Sequence, residues 1–229
     1  RVRAVNEAGA SDYSNESSAM TESESSTGTV TVEDWERSNP LGDYTAVSGT
    51  KSPFAVTTDV ARNGSHSLVW DAGAASEKTD YQLQAGTSLP DTPQPGDTFR
   101  LYLYYDGPKS SPRRFSKIFF ATQSNSYDPD GYAIKVSAED GEVSVVESRS
   151  GSERDFMPET SVSIPTGQFV ELEYTWVDGG QHTLVVRDAS GSQLASLGGT
   201  PNVDYPSGGV GLEHKWANGG STGTRVYHD

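Results

Sequence analysis

Residues 98–105, Thr-Phe-Arg-Leu-Tyr-Leu-Tyr-Tyr, alternate apolar side chains with charged and aromatic ones. A period of two belongs to a strand, so Phe99, Leu101, Leu103 and Tyr105 share one face, and Arg100, Tyr102 and Tyr104 share the other. The same alternation over residues 170–176 turns Val170, Leu172, Tyr174 and Trp176 inward and leaves Glu171, Glu173 and Thr175 outward. Lys135, Glu213 and Lys215 take outward places on their own strands. If these strands are neighbours in one curved sheet, their outward residues make a concave surface of rings, acids and bases. Rings stack on the C–H faces of sugars while charged groups hold hydroxyls. Trp216 follows Lys215 at a strand end or loop, where an indole is either a binding platform or core packing. The predicted binding set is therefore Arg100, Tyr102, Tyr104, Lys135, Glu171, Glu173, Glu213 and Trp216. A plain polar outer face of an antiparallel sheet accounts for the same pattern.

Catalytic constellations are missing from the motifs. A retaining glycosidase needs two carboxylates on one strand face, in a pattern such as Glu-x-Asp-x-x-Glu, and the sequence has no such triplet. None of the four His has His-x-x-x-His spacing, and Gly-x-Ser-x-Gly does not occur. The absence of cysteine removes disulfides, thiolate metal sites and thiol nucleophiles. The expectation is a protein that is not an enzyme. Two loops remain of interest. Residues 105–117 gather two Lys and two Arg with prolines, suited to a carboxylate, an acidic sugar or an acidic neighbour, or simply solvated. Residues 125–131 offer Asp128 and Asp130 as a weaker cation site.

The elements that must carry these residues are short strands. Apolar residues make up 33% of 229, and Gly, Ser, Thr, Asp and Asn are abundant, which suits strands joined by turns better than helices. No apolar run is long enough for a membrane span, so no membrane insertion is expected. Strand patterns occur at 30–35, 54–57, 67–70, 79–84, 98–105, 116–122, 132–137, 142–148, 169–177, 182–188, 193–198, 208–215 and 223–227. Turn pairs such as Pro95-Gly96, Asp106-Gly107, Asp130-Gly131, Asp140-Gly141 and Ser190-Gly191 separate them. Trp35, Trp70 and Trp176 sit inside strand patterns and are expected in the core. The formal charge of −15 carries no basic stripe, which argues against nucleic acid. Only six of the 17 basic residues are Lys. Acidity with Arg preferred over Lys fits work in concentrated salt, where screening shortens the Debye length to about 3 Å. An ordinary acidic secreted protein has a similar balance.

Residues 1–13, RVRAVNEAGASDY, read as a strand, a turn and a strand start. They resemble the last hairpin of a fibronectin type III domain, which places the end of such a domain at 1–16. The Ser-, Thr- and Glu-rich stretch at 17–28 then reads as a linker. Residues 29–229 follow as one domain. Their order of Val-x-Asp-Trp-Glu (32–36), Asn-Gly-Ser-His-Ser-Leu (63–68), Gly-Asp-Thr-Phe-Arg-Leu-Tyr-Leu-Tyr-Tyr (96–105), Gly-Tyr-Ala-Ile (131–134), Val-Glu-Leu-Glu-Tyr-Thr-Trp (170–176) and Gly-Gly-Val-Gly-Leu (208–212) resembles concanavalin A-like and laminin-G-like jelly rolls, including those of haloarchaea and their viruses. The resemblance implies an all-β, two-sheet antiparallel jelly-roll sandwich. It also implies a structural Ca²⁺ held by Glu36, Asp229 and backbone carbonyls around Ser65 or His66, since Ca²⁺ takes six to eight oxygens. The function it implies is a non-enzymatic module that binds a cell-surface glycan or glycoprotein. Its setting would be a larger attachment protein such as a virion tail fibre, turret or surface adhesin, extracellular or on a virion surface. The partner expected besides the glycan is a homo-oligomer or a larger assembly. A structural decoration domain is the alternative, and a polysaccharide hydrolase the second alternative.

Overall fold

The computed structural model describes residues 5–6, 9–10, 35–71, 80–86, 89, 91–106, 115–138, 140–215 and 225–229. The first two strands, β1 (Val5–Asn6) and β2 (Gly9–Ala10), pair with each other as a small hairpin. A 3₁₀ turn, Pro40–Asp43, is the one helical element among the described residues. The remaining strands are β3 (Thr45–Ser48), β4 (Phe54–Thr57), β5 (Ser67–Asp71), β6 (Asp80–Gly86), β7 (Thr98–Asp106), β8 (Phe115–Thr122) and β9 (Gly131–Ser137). They are followed by β10 (Glu142–Arg149), β11 (Ser152–Ser161), β12 (Phe169–Thr175), β13 (His182–Arg187), β14 (Gln193–Gly199), β15 (Gly209–Lys215) and β16 (Arg225–His228).

Two seven-stranded antiparallel sheets form. The first runs β11-β10-β9-β8-β15-β6-β3 and the second β14-β13-β12-β7-β16-β5-β4. Alternation explains the layer between them: Leu68, Trp70, Leu103, Leu172, Tyr174 and Trp176 from the second sheet meet Leu83, Phe120, Tyr132 and Ile134 from the first. Edge-to-face rings lock the centre, with Phe120 4.7 Å from Tyr174 and Tyr132 5.7 Å from Trp176. The expected burial of Trp35, Trp70 and Trp176 is observed.

The two sheets differ on their outer faces. Strands β12 and β13 alternate buried with partly exposed residues, as a sheet does with one face in water. Strands β8, β9, β10 and β15 are buried almost throughout, on both faces.

Polar side chains cross the core as well. Tyr105 O–H donates to Ser116 Oγ at 3.1 Å, and Ser116 Oγ lies 3.0 Å from His214 Nδ1. His214 in turn stacks on Trp70 at 4.8 Å. A second buried pair joins Tyr174 OH to His182 Nδ1 at 2.6 Å.

Along one flank the edge strands β11 and β14 pack together, and a side chain at Gly199 would strike the Phe156 carbonyl. Along the other flank the edges among the described residues are β3 and β4, four residues each.

Two strands were absent from the sequence reading, β3 and β11. The expected opening strand at 30–35 lies outside the described residues except for Trp35, as does the 17–28 stretch.

Candidate functional site

Strand pairing divides the predicted binding residues between two faces that point away from each other. Arg100, Tyr102 and Tyr104 on β7 and Glu171 and Glu173 on β12 sit side by side on the outer face of the second sheet, Tyr102 opposite Glu171 and Arg100 opposite Glu173. Lys135 and Glu213 belong to the first sheet. The single shared surface expected from alternation is therefore corrected: the period of two fixes a face within a strand, not which strands are neighbours. Trp216 and residues 107–114 of the basic loop lie outside the described residues.

On the second sheet the charges satisfy one another. An Arg100 nitrogen lies 2.6 Å from Glu173, and Arg187 Nη1 is 3.1 Å from both Glu171 and Glu173. Tyr102 O–H donates to Glu171 at 3.2 Å, and the Arg62 guanidinium sits 5.1 Å from the Tyr102 ring centroid. Burial pushes the Glu173 carboxyl up, but Arg100 and Arg187 outweigh it and hold it below its ordinary value. Tyr104 is half-buried between Phe169 and Tyr227, edge-on to both. Arg187 was not singled out from the sequence, although its place two residues after Val185 on the same strand face marks it as outward.

On the first sheet the register lays out rows across five strands. One row reads Gln82, Glu213, Lys117, Lys135, Ser144, and the next Gln84, Gly211, Phe119, Ala133, Val146. Glu213 is thus on the outer face as expected, but it is 1% exposed, so the expectation of a solvent-facing carboxylate is corrected. Lys117 lies 3.2 Å from Glu213 and also pairs with Glu153 of β11. Burial pulls the Lys117 ammonium down, yet Glu213 and Glu153 prevail and leave it above its ordinary value. Strand β11 is three strands from β8, about 14 Å away in a flat sheet. A direct Glu153–Lys117 bridge therefore requires the face to be concave.

Beneath that concave face lie buried polar atoms that no hydrogen bond satisfies. Gln82 Nε2, both amide atoms of Gln84 and Ser144 Oγ are buried without a hydrogen-bond partner. Such atoms cost about 1–3 kcal/mol each when left unmade, and native proteins keep few of them. Phe119 supplies an apolar floor between them, with Lys117 Nζ 5.8 Å from its ring centroid. The chemistry matches a ligand that brings both donors and acceptors along with an apolar surface.

The residues expected to hold Ca²⁺ do converge, in a different chemistry. Glu36 Oε1 accepts from the backbone N–H groups of Ser65 at 2.5 Å and His66 at 2.7 Å, and its Oε2 lies 2.8 Å from His66 Nδ1. Asp229 Oδ2 accepts from the N–H groups of Arg62 at 2.6 Å and Asn63 at 3.1 Å. The loop turns nitrogen donors, not the expected carbonyls of Ser65 and His66, toward both carboxylates. That set does not fit an oxygen cage for Ca²⁺. It does fit an anion nest made of successive backbone N–H groups. Among the described residues no three His, Asp or Glu side chains gather as a metal group. Asp130, the other cation candidate, accepts from Ser150 N–H at 2.6 Å.

The fold is similar to that of a carbohydrate binding module, CBM66 from Bacillus subtilis, with TM-score 0.53 and 14% identity over 81% of this chain and 91% of that one. It is also similar to a legume lectin-like domain from Entamoeba histolytica, with TM-score 0.55 and 11% identity over 82% of this chain and 89% of that one. No family model and no curated protein sequence matches the chain. The likenesses show the concanavalin A-like jelly-roll fold.

Proposed function

We propose that this chain is a non-enzymatic glycan-binding module of a larger attachment protein, such as a virion tail fibre, turret or surface adhesin from a halophilic system. Its sugar site is the curled outer face of the first sheet. The observation that carries this reading is the set of unpartnered polar atoms, Gln82 Nε2, both amide atoms of Gln84 and Ser144 Oγ, around Phe119. A sugar offers each hydroxyl as donor and acceptor and lays its C–H face on a ring, which meets both demands at once. The likeness in fold to a carbohydrate binding module and a lectin-like domain supports the same reading. Entry requires the Glu153–Lys117 bridge over this face to open.

Setting and partners follow from the sequence. The hairpin of β1 and β2 is read as the end of a fibronectin type III domain, 17–28 as a linker and 29–229 as the recognition head. Such a head works outside cells or on a virion surface, displayed as a homo-oligomer or within a larger assembly. The charge of −15 and the excess of Arg over Lys support concentrated salt as its medium.

The test is a glycan array in high salt with the wild-type chain, Gln84→Ala and Tyr102→Ala. Binding lost in Gln84→Ala and kept in Tyr102→Ala supports the proposal. The reverse moves the site to the Arg100, Tyr102, Tyr104, Glu171 and Glu173 face. Binding to no glycan overturns the reading in favour of a structural decoration domain.

A further inference from the structure

We infer that the sugar recognised is acidic, carrying carboxylate or sulfate groups, and that it binds at Phe115 in place of the carboxylates of Glu153 and Glu159. This rests on the glycan-binding reading above and names the class of its ligand. The chain has six lysines among its 229 residues, and three of them converge on one ring. Lys117, Lys135 and Lys215 Nζ atoms lie 5.1, 5.6 and 5.8 Å from the Phe115 centroid. Lys117 and Lys135 are also direct cross-strand partners, an arrangement that like charges disfavour. In a chain with 32 acidic residues, that placement of scarce lysines is the feature to be explained.

Three carboxylates answer Lys117 and Lys135, in two different ways. Glu213 is buried on the neighbouring strand and holds Lys117 at 3.2 Å, a fixed part of the sheet. Glu153 and Glu159 come from the edge strand β11, with side chains 35% and 46% exposed, and pair with Lys117 and Lys135. The Lys135–Glu159 pair is largely exposed and weak, and at Lys117 an incoming anion would replace the half-exposed Glu153 carboxylate like for like, so neither exchange leaves an ammonium uncompensated. A uronate or sulfated sugar would place its charge where Glu159 or Glu153 now sits and its ring against half-buried Phe115. The two β11 side chains then act as internal stand-ins that keep the lysines compensated until the ligand arrives. Because Lys117 is nearly buried, its attraction survives salt better than that of a surface lysine.

The experiment is calorimetric titration of the full 229-residue chain. Its probes are a galacturonate oligomer, the same oligomer fully methyl-esterified, and a sulfated oligosaccharide. The proposal expects an acidic probe to bind at least about tenfold more tightly than the ester, since one lost charge-assisted contact is worth about 1.5–3 kcal/mol. It also expects Glu153→Gln/Glu159→Gln to tighten acidic binding several-fold and Phe115→Ala to abolish it, with melting curves confirming that both variants fold. Ester binding as tight as acid binding overturns this inference and leaves the glycan reading standing. So does an unchanged or weaker acidic affinity in Glu153→Gln/Glu159→Gln. Failure of every probe here and on the array removes both.

Discussion

His214 and His228 meet Nε2 to Nε2 at 2.8 Å between the two sheets, one on β15 and the other on β16. Tyr105 donates to Ser116, Ser116 Oγ and His214 Nδ1 share one hydrogen bond, and with both rings neutral one N–H joins the two Nε2 atoms. A second proton in that contact sets N–H against N–H, in a pocket walled by Trp70 and Phe54.

Acid should therefore loosen the sandwich through this pair. Burial pushes His228 down to about 3, and burial together with His228 pushes His214 well below its ordinary value. Among the described residues the polar groups facing the pair are Tyr105, itself raised by burial, and uncharged Ser116. A depressed histidine is neutral when folded and takes a proton when unfolded. Stability should be level above pH 6.5 and fall as pH drops toward 3, by up to about 1.4 kcal/mol per pH unit for each histidine. Urea unfolding across pH 4–8 measures the slope, and proton NMR should show both rings neutral at pH 5. A ring of this pair titrating near pH 6.5 would sink the prediction.

The Lys117–Glu213 pair should behave as a buried ion pair does. Glu213→Ala leaves an ammonium buried beside Glu153 alone and is expected to cost about 3–5 kcal/mol in urea unfolding. The double variant Lys117→Met/Glu213→Leu should recover most of that loss, because both desolvation penalties vanish together. A double variant no more stable than Glu213→Ala would contradict the account.

Calcium and EDTA should leave the melting temperature unchanged, since Glu36 and Asp229 are bonded to backbone N–H groups. Gly64→Ala, in contrast, should lower stability by about 1 kcal/mol or more. Gly64 has φ +68°, and a methyl there would meet the Glu36 carboxylate. The His66 side chain and the loop N–H groups hold Glu36 down to about 2. Its contribution should thus be complete above pH 4.5 and disappear as pH falls toward 2. A melting temperature raised by calcium would count against this clamp.

Arg187→Gln should change stability by less than about 1 kcal/mol, and by less still in concentrated salt. The reason is that its partners Glu171 and Glu173 are partly exposed and Glu173 keeps Arg100. Thermal melts at two salt concentrations decide it. A larger loss that salt leaves unchanged would mean that the Arg100, Arg187, Glu171 and Glu173 pairs are part of the core.

Alternation made the inward faces of β7 and β12 legible residue by residue, because each strand has one wet face. It failed at β11, Ser-Glu-Arg-Asp-Phe-Met-Pro-Glu-Thr-Ser, which is polar and contains Pro158. Edge strands tolerate proline and need bury little, so neither composition nor period marks them. A signal existed in Ser150-Gly151, where φ values of 52° and 75° form the two-residue turn into β11. Glu213 was placed on the correct face, but its burial there depends on strands and packing that one strand's pattern does not reveal. Without β11 the sequence offered Glu213 alone for Lys117 and no partner for Lys135, and the lysine cluster stayed scattered over three segments.

The close packing of β11 against β14 governs how copies of this chain can associate. A long bare strand is a template for another chain, and the long strands of this flank face each other with the Phe156 carbonyl pressed against Gly199. Among the described residues the opposite flank ends in strands of four residues, too short to recruit a partner firmly. Crowded side by side on a surface, such molecules would meet through faces and loops and resist polymerising by strand addition.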